Sequence, residues 1–362
     1  MSLKVGVNAP GDSSAFGTDA LMDLGCRLTR MVIYPNLDHG PAIRANGNLG
    51  ITTILVVARE GHGTDLSATT YDTAIVTKWA KFYAEKYGHL PNVTWQVANE
   101  MNHVGDSSWF LEPAQFSEML SIWRKALGPD AHIITGGLAD GQPNDANYLL
   151  QCDLAPADGV AIHAYGIRPY GTAEEWAGLP GNFADLQTLI EPMLQFNLPI
   201  YITEVGVTSN EWNDPAIAEY MEHFILEAET HPEIEAVVWF CADDATMVPQ
   251  FGLIDTIGRK KPQYATLKKL AGGPRIVAPP IETGYQFQLG FAKVAAAHPV
   301  LVGAPLEDEM GFARGFSSQR TSHGFLEWCR TAESGEVMGF TDLRNGKRYI
   351  WDGVKLNEVI RP

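Results

Sequence analysis

Two glutamates stand where polar residues interrupt long apolar runs. Glu100 follows the run Val93–Ala98 within Ala98-Asn99-Glu100-Met101-Asn102, and Glu204 closes the run Pro199–Thr203. A pair of carboxyl groups can cleave a glycosidic bond that lies between them: the protonated one gives its proton to the leaving oxygen, and the ionised one attacks the anomeric carbon. In that chemistry Glu100 is the expected acid/base and Glu204 the expected nucleophile. A retaining geometry would hold the two groups roughly 5–5.5 Å apart, an inverting one roughly 6.5–9.5 Å apart. Arg30, inside Leu28-Thr29-Arg30-Met31-Val32-Ile33-Tyr34, is placed to keep Glu204 ionised by charge pairing. Glu100 lacks such a cation and is expected to titrate higher, which would separate the two roles. Tyr165 can hydrogen-bond the Glu204 carboxylate, and Asn99 can hold a sugar 2-hydroxyl. His163 belongs to the same set, and Trp239 is either a floor for the sugar ring or a core residue.

These side chains must be carried by elements that converge. Eight short apolar, β-branched runs occur at Leu3–Asn8, Leu28–Tyr34, Ile51–Ala58, Val93–Ala98, His132–Gly136, Val160–Ala164, Pro199–Thr203 and Ala236–Phe240. Continuous apolar runs of this length suit strands buried on both faces, as parallel strands are. Helical segments fall between them. Asp72 is expected to cap a helix with Ile75, Trp79, Phe82 and Tyr83 on one face and Gly88 as its stop. Pro113 opens a second, with Phe116, Leu120, Trp123 and Leu127 in register before Gly128. Asp214-Pro215 opens a third, with Ile217, Tyr220, Met221, Phe224 and Ile225. Eight βα units in about 270 residues match a (β/α)8 TIM barrel, whose sites lie at the C-terminal ends of the strands. A doubly wound sheet would want a glycine-rich phosphate loop after an early strand, and Asn8-Ala9-Pro10-Gly11-Asp12 does not supply one. The alternation stops near Ala271-Gly272-Gly273-Pro274, so a catalytic barrel over 1–272 and a small, mainly β accessory domain over 273–362 are expected.

Asn99-Glu100 after the fourth run, with Glu204 ending the seventh, resembles the signature of clan A glycoside hydrolases. Arg30, His163-Ala164-Tyr165 and Trp239 are similar to further clan positions, over residues 1 to about 272. Tyr201-Ile202-Thr203-Glu204-Val205-Gly206, Trp239-Phe240, Gly252-Leu253-Ile254-Asp255 and Lys261-Pro262-Gln263-Tyr264 look like families 5 and 39 of that clan. The resemblance implies a retaining β-glycoside hydrolase acting on a carbohydrate, with Trp239 as the sugar platform. Met101 stands where the family pattern often has proline. The segments from Val302 to Glu309, Gln319 to Trp328 and Phe340 to Asp342 resemble an accessory module of bacterial and phage hydrolases, which implies attachment to a cell wall or polysaccharide.

Bulk properties narrow the field. A net charge of −17 opposes electrostatic binding to nucleic acid or anionic lipid. No apolar run reaches the roughly 20 residues of a membrane helix. Cys26, Cys152, Cys241 and Cys329 show no paired spacing and read as free thiols, without a structural zinc site. The strand at Leu3 leaves no room for a signal peptide, so a cytoplasmic location is the default expectation, with release from a cell or phage left open. Neither a metal nor a cofactor is expected. Glu60-Gly61-His62-Gly63 lacks a second ligand at helical spacing and reads as a subsite loop. Asp243-Asp244 reads as a capping or sugar contact in preference to a calcium site. Trp109, Tyr170, Trp176 and Trp212 either stack sugars in outer subsites or cover the barrel rim. A cell-wall-lytic glycosidase and a non-catalytic carbohydrate-binding barrel are the competing functions.

Overall fold

The computed structural model of the 362-residue chain describes residues 3–9, 17–34, 37–57, 71–103, 110–139, 145–245, 247–248, 250–271, 291 and 294–295, together with the strands of the C-terminal unit. The chain divides into two compact units, Met1–Gly273 and Pro274–Pro362.

In the first unit eight parallel strands close into a barrel. They are β1 (Lys4–Asn8), β2 (Leu28–Val32), β3 (Thr52–Val57), β4 (Val93–Val97), β5 (His132–Leu138), β6 (Gly159–His163), β7 (Ile200–Val205) and β8 (Ile234–Trp239). Closure comes from β1 pairing with β8, Lys4 opposite Ala236 and Val7 opposite Trp239. Helices follow the strands: α1 (Thr18–Leu24), α2 (Gly40–Asn48), α3 (Thr73–Tyr87), α4 (Pro113–Leu127), α5 (Ala146–Leu149), α6 (Leu186–Ile190), α7 (Asp214–Ala228) and α8 (Pro262–Ala271). The expected (β/α)8 barrel is therefore the observed fold, and all eight apolar runs are its strands.

Two cores divide the apolar residues by strand parity. Leu28, Ile54, Ile134, Ala161, Tyr201, Ala236 and Val238 fill the barrel interior, and a larger cluster lies between strands and helices. Successive strand side chains point to opposite faces, so both layers are written into one apolar run. The inward positions nearer the strand C-termini are polar instead: Asn8, Arg30, Gln96, His163 and Glu204 are all buried. One end of the barrel is thus an oily plug and the other a packed polar layer.

The helix signals hold with one displacement. Asp72 caps α3 by accepting hydrogen bonds from the backbone of Ala74 and Ile75, and Gly88 ends it. Its buried stripe is Val76, Ala80, Tyr83 and Tyr87, not the expected face of Ile75, Trp79, Phe82 and Tyr83; Phe82 is exposed. The face is set by the neighbour it meets. Tyr83 stacks on Trp123 of α4 at 6.3 Å, and Trp123 lies 5.8 Å from Trp95 of β4, so this aromatic chain fixes the rotation of the helix. The helix α4 starts at Pro113 with a reciprocal Glu112–Gln115 capping box and buries Phe116, Leu120 and Trp123, while Leu127 is only partly buried. In α7 all five expected apolar residues are buried, with Asn213 as the capping side chain.

Cys26, Cys152 and Cys241 are free thiols, and burial pushes the Cys26 and Cys241 thiols up to about 12. Among the described residues no helix is long and apolar enough to cross a membrane. The second unit contains an antiparallel six-stranded sheet in sequential order: Met310–Phe312, Phe316–Arg320, Gly324–Thr331, Gly335–Asp342, Arg348–Trp351 and Leu356–Glu358. Leu326 and Phe340 are buried and lie opposite each other where the third and fourth strands of this sheet pair.

Trp123→Ala should lower unfolding stability by about 3–5 kcal/mol, because it leaves a cavity between α3, α4 and β4. Asp72→Ala should cost about 1 kcal/mol through the lost cap. Urea unfolding followed by circular dichroism checks both, and equal effects would contradict this ordering.

Candidate active site

The polar layer at the strand C-termini is organised around one guanidinium. Arg30 is 2 % exposed and sits in β2 opposite Asn8 of β1. Its Nε donates to Gln96 Oε1 at 2.7 Å, its Nη1 to Asn8 Oδ1 at 2.7 Å and to Glu204 Oε1 at 2.6 Å, and its Nη2 to Asn99 Oδ1 at 2.6 Å. Asn8 in turn donates to the Thr203 carbonyl at 3.1 Å, which ties β1 to the residue before Glu204. Charge-assisted bonds of this kind are short and directional, so the fork of Arg30 orients several strand ends at once.

Glu204 receives a second donor from the end of β6: the Tyr165 hydroxyl donates to Oε2 at 2.7 Å. Burial pushes the Glu204 carboxyl up. The charges of His163 and Arg30, with hydrogen bonds from Tyr165 and Arg30, outweigh it, and the group titrates below its ordinary value of 4.5. Tyr165 shifts the other way, held well above its ordinary value by burial and then by the Glu204 carboxylate beside it. The donor and acceptor of this bond are therefore fixed as phenol and carboxylate.

Glu100 lies beyond β4 on a backbone turned into the left-handed region, with φ of 70° at Ala98 and 49° at Glu100. Such angles cost a non-glycine residue free energy and persist only where the surroundings enforce them. Here the Glu100 amide donates to the Gly137 carbonyl of β5 at 2.8 Å, and Met101 is fully buried behind it. The turn aims the Glu100 carboxyl back over the barrel. One oxygen of Glu100, one of Glu204 and a His163 ring nitrogen all lie within 4.8 Å of one another.

His163 changes the expected electrostatics of Glu100. Its Nδ1 is 3.1 Å from Glu100 Oε1 and its Nε2 is 3.5 Å from Glu204 Oε1, so the imidazole stands between the two carboxyl groups. Glu100 thus has a titratable neighbour of its own, where the sequence suggested none. Gly137 makes room for it: a Cβ there would stand closer to the imidazole Nε2 than any real contact. Two carboxylates and an imidazole can also ligate a divalent cation. The guanidinium 2.6 Å from Glu204 already neutralises one of them and opposes a second positive charge at that point.

Trp239 does not reach this site, and its assignment as a sugar platform is corrected. It is fully buried on the helix side of β8, 6.2 Å from the ring of Tyr220 of α7, while Ala236 and Val238 face the barrel interior. The next inward position by strand alternation is Phe240, which is half-exposed and lies 6.1 Å from Tyr165, edge to face. Counting by twos from Ala236 would have found it. Phe240 lines a cavity of about 150 Å3 together with Asn8, Arg30, Tyr34, Asn99 and Glu204. Gln96, Tyr34 and Phe240 are site residues that the sequence reading missed.

The remaining polar and aromatic residues take structural places. Trp176 packs on Tyr220 and His223 of α7, and Trp212 on Tyr220, so these two aromatics cover the rim, and Tyr170 packs on His223 beside them. Asp243 Oδ1 accepts from the Ala245 amide, and Asp244 pairs with Lys261, which is the capping alternative for these residues. Trp109 and the segment Glu60-Gly61-His62-Gly63 lie outside the described residues.

A closed (β/α)8 barrel with paired carboxyl groups at its C-terminal mouth is an architecture found in glycoside hydrolases of clan A. The model of the family described as cellulase (glycosyl hydrolase family 5) matches residues 41–244, more than half of the chain and the stretch that holds both Glu100 and Glu204. The chain belongs to glycosyl hydrolase family 5. Similar solved structures include a GH5_18 protein of Bifidobacterium longum subsp. longum in complex with Manβ1-4GlcNAc, 16% identical, covering 76% of this chain and 79% of that one with a TM-score of 0.52. An endo-β-1,4-glucanase of Xanthomonas axonopodis pv. citri is 13% identical over 75% of this chain and 99% of that one, with a TM-score of 0.54. A family 39 glycoside hydrolase of Bacteroides cellulosilyticus is 17% identical over 99% of this chain and 79% of that one, with a TM-score of 0.55. No curated relative matches by sequence.

Arg30→Met should move the acid limb of the pH dependence of kcat/KM to higher pH. The guanidinium depresses the Glu204 carboxyl, so without it the ionised form is lost earlier as pH falls. An acid limb that stays in place would contradict this electrostatic role. In a second comparison, Phe240→Ala should raise KM several-fold, whereas Trp239→Leu should lower Tm and leave KM near the wild-type value.

Proposed function

We propose that this glycoside hydrolase is a retaining β-glycosidase that works by double displacement, with Glu204 as nucleophile and Glu100 as acid/base. The observation that carries the reading is the approach of the two carboxyl groups to within 4.8 Å. One oxygen of each group at that distance supports the roughly 5–5.5 Å separation of retaining enzymes over the roughly 6.5–9.5 Å of inverting ones. The unequal surroundings of the two groups support the assignment of roles. Glu204 holds Arg30 on one oxygen and Tyr165 on the other, which keeps it ionised and aims it.

In the first step a Glu204 oxygen bonds to the anomeric carbon as the glycosidic bond breaks, and Glu100 gives its proton to the departing oxygen. In the second, Glu100 takes a proton from water, the water oxygen bonds to the same carbon, and the ester to Glu204 is released. Asn99, held by Arg30, is placed beside the nucleophile for a hydrogen bond to the 2-hydroxyl. Phe240 offers the ring face for the sugar bound in the cavity, as an aromatic can for the apolar side of a pyranose.

The substrate is a β-linked oligo- or polysaccharide. Cellooligosaccharides and Manβ1-4GlcNAc head the panel to be screened, with xylans and β-mannans beside them, because ligands of the first two kinds are named for structurally similar proteins.

An activated 2-deoxy-2-fluoro β-glycoside should leave a covalent adduct on the peptide containing Glu204, detected by mass spectrometry. The Glu204→Ala variant should lose at least about 10⁴-fold in kcat. Glu100→Ala should lose about 10²–10⁴-fold on substrates with poor leaving groups, and much less on a dinitrophenyl glycoside. Preserved turnover with no adduct, or release of the inverted anomer, would overturn the mechanism.

A further inference from the structure

The hydrogen bond from Tyr165 to Glu204 depends on the plane of the phenol ring, and that plane is set by three neighbouring rings, of which one, Phe251, takes no part in the proposed chemistry. Three rings meet Tyr165 edge to face: His163 at 6.1 Å and 86°, Phe240 at 6.1 Å and 80°, and Phe251 at 6.1 Å and 79°. Phe251 also meets Phe240 at 5.5 Å and 76°, so the two phenylalanines brace each other as well as the tyrosine. Gly206, just beyond β7, permits the approach, since a Cβ there would press on the Phe240 carbonyl and stand 3.4 Å from the Phe251 ring.

Phe251 belongs to no strand of the barrel, and its position comes from how the segment after β8 is pinned. Asp244 grips the neighbouring residue: its Oδ1 accepts from the Gly252 amide at 2.7 Å, while its Oδ2 pairs with Lys261 Nζ at 2.7 Å. Both side chains are less than a tenth exposed. The same loop is tied by Leu253 N to the Ala242 carbonyl at 3.0 Å, Asp244 N to the Ile254 carbonyl at 2.9 Å and Lys261 N to the Leu253 carbonyl at 2.9 Å. A buried ion pair is costly to form and strongly fixes geometry once formed. Here it fixes the residue next to Phe251.

We propose that Phe251 is a positioning residue for Glu204: held in place by the Asp244–Lys261 pair, it keeps the Tyr165 ring in the plane from which its hydroxyl donates to the carboxylate. The proposal rests on the reading of Glu204 as nucleophile, but its test reads Glu204 directly and needs no turnover. Among the described residues the charged and titratable groups that face Glu204 are Arg30 from β2, His163 and Tyr165 from β6 and its end, and Glu100 from beyond β4. Only Tyr165 among them touches Phe251 by a ring contact. Loosening Phe251 therefore removes one donor from the carboxylate and leaves Arg30 and His163 in place, so Glu204 titrates higher.

The experiment is a carbon-13 NMR titration of the side-chain carboxyl of Glu204 in the full chain labelled at glutamate, assigned by the loss of its resonance in Glu204→Gln. Phe251→Leu should move the midpoint up, in the direction of Tyr165→Phe, and Phe251→Tyr should restore it toward wild type. In the Tyr165→Phe background, Phe251→Leu should shift nothing further, because the two act through one bond. A wild-type midpoint in Phe251→Leu, or a shift that persists without the Tyr165 hydroxyl, would overturn the proposal. Should Phe251→Leu fail to fold, Lys261→Met gives the second reading: an upward midpoint that vanishes in Tyr165→Phe supports the proposal, and an unmoved midpoint rejects it.

Discussion

The barrel mouth is built around a positive charge that water cannot reach. Arg30 and Glu204 are both nearly fully buried, and bringing either out of water alone would cost several kcal/mol. Their attraction across 2.6 Å offsets this together with three further bonds of the guanidinium, to oxygens of Gln96, Asn8 and Asn99. That set of bonds recruits β1, β2, β4 and β7 into one layer. It also explains why the interior turns from aliphatic to polar along these strands. Breaking the pair would leave a buried charge uncompensated, a loss of about 3–5 kcal/mol in stability on top of any effect on chemistry.

Strain and space on the acid side complement this arrangement. The left-handed backbone at Ala98 and Glu100 is bound to Gly137, and the missing side chain of Gly137 lets His163 lie between the two carboxyl groups. The imidazole is thereby shared: it is closer to Glu100 and still within reach of Glu204. One carboxyl is fixed by permanent charge and phenol, the other by a group that can itself gain or lose a proton. The two halves of the site differ in kind as well as in strength.

Much of this was legible in the amino-acid order. Strand positions are strongly encoded because residues buried on both faces leave continuous β-branched runs, and caps such as Asp72 and Gly88 mark helix ends by local hydrogen bonding. Glu100, Glu204 and Tyr165 were legible because each is a polar residue at or just beyond the end of an apolar run, where a barrel has its mouth, and Arg30 because it is a charge inside one. Of the two readings open for Trp239 the resemblance favoured the platform and parity favours the core: Val238 faces inward, so Trp239 cannot. The buried face of α3 was missed by one position because a helix with aromatics on two sides is rotated by its partner, here Trp123. His163 as a bridge depends on the glycine across the strand pair, a steric fact that no local pattern announces. Phe251 reaches Tyr165 through a loop whose shape rests on a long-range ion pair, and such contacts leave no period in the sequence.

Closure of the barrel has a consequence for how the chain acquires its site. The Arg30–Glu204 bond joins residues 174 positions apart, and β1 finds β8 across more than half of the chain. Ordering a loop of that length costs roughly 5 kcal/mol in chain entropy before any contact offsets it. No contiguous fragment holds both partners without the intervening strands, so an incompletely wrapped chain would carry Arg30 and Glu204 in solvent, each hydrated and separate. Helices and early strand pairs can form on local information, while the charged layer assembles only with the last turn of the sheet. Parallel topologies dominated by such distant pairings fold slowly, and in this one the emergence of the charge pair and the completion of the fold are a single event.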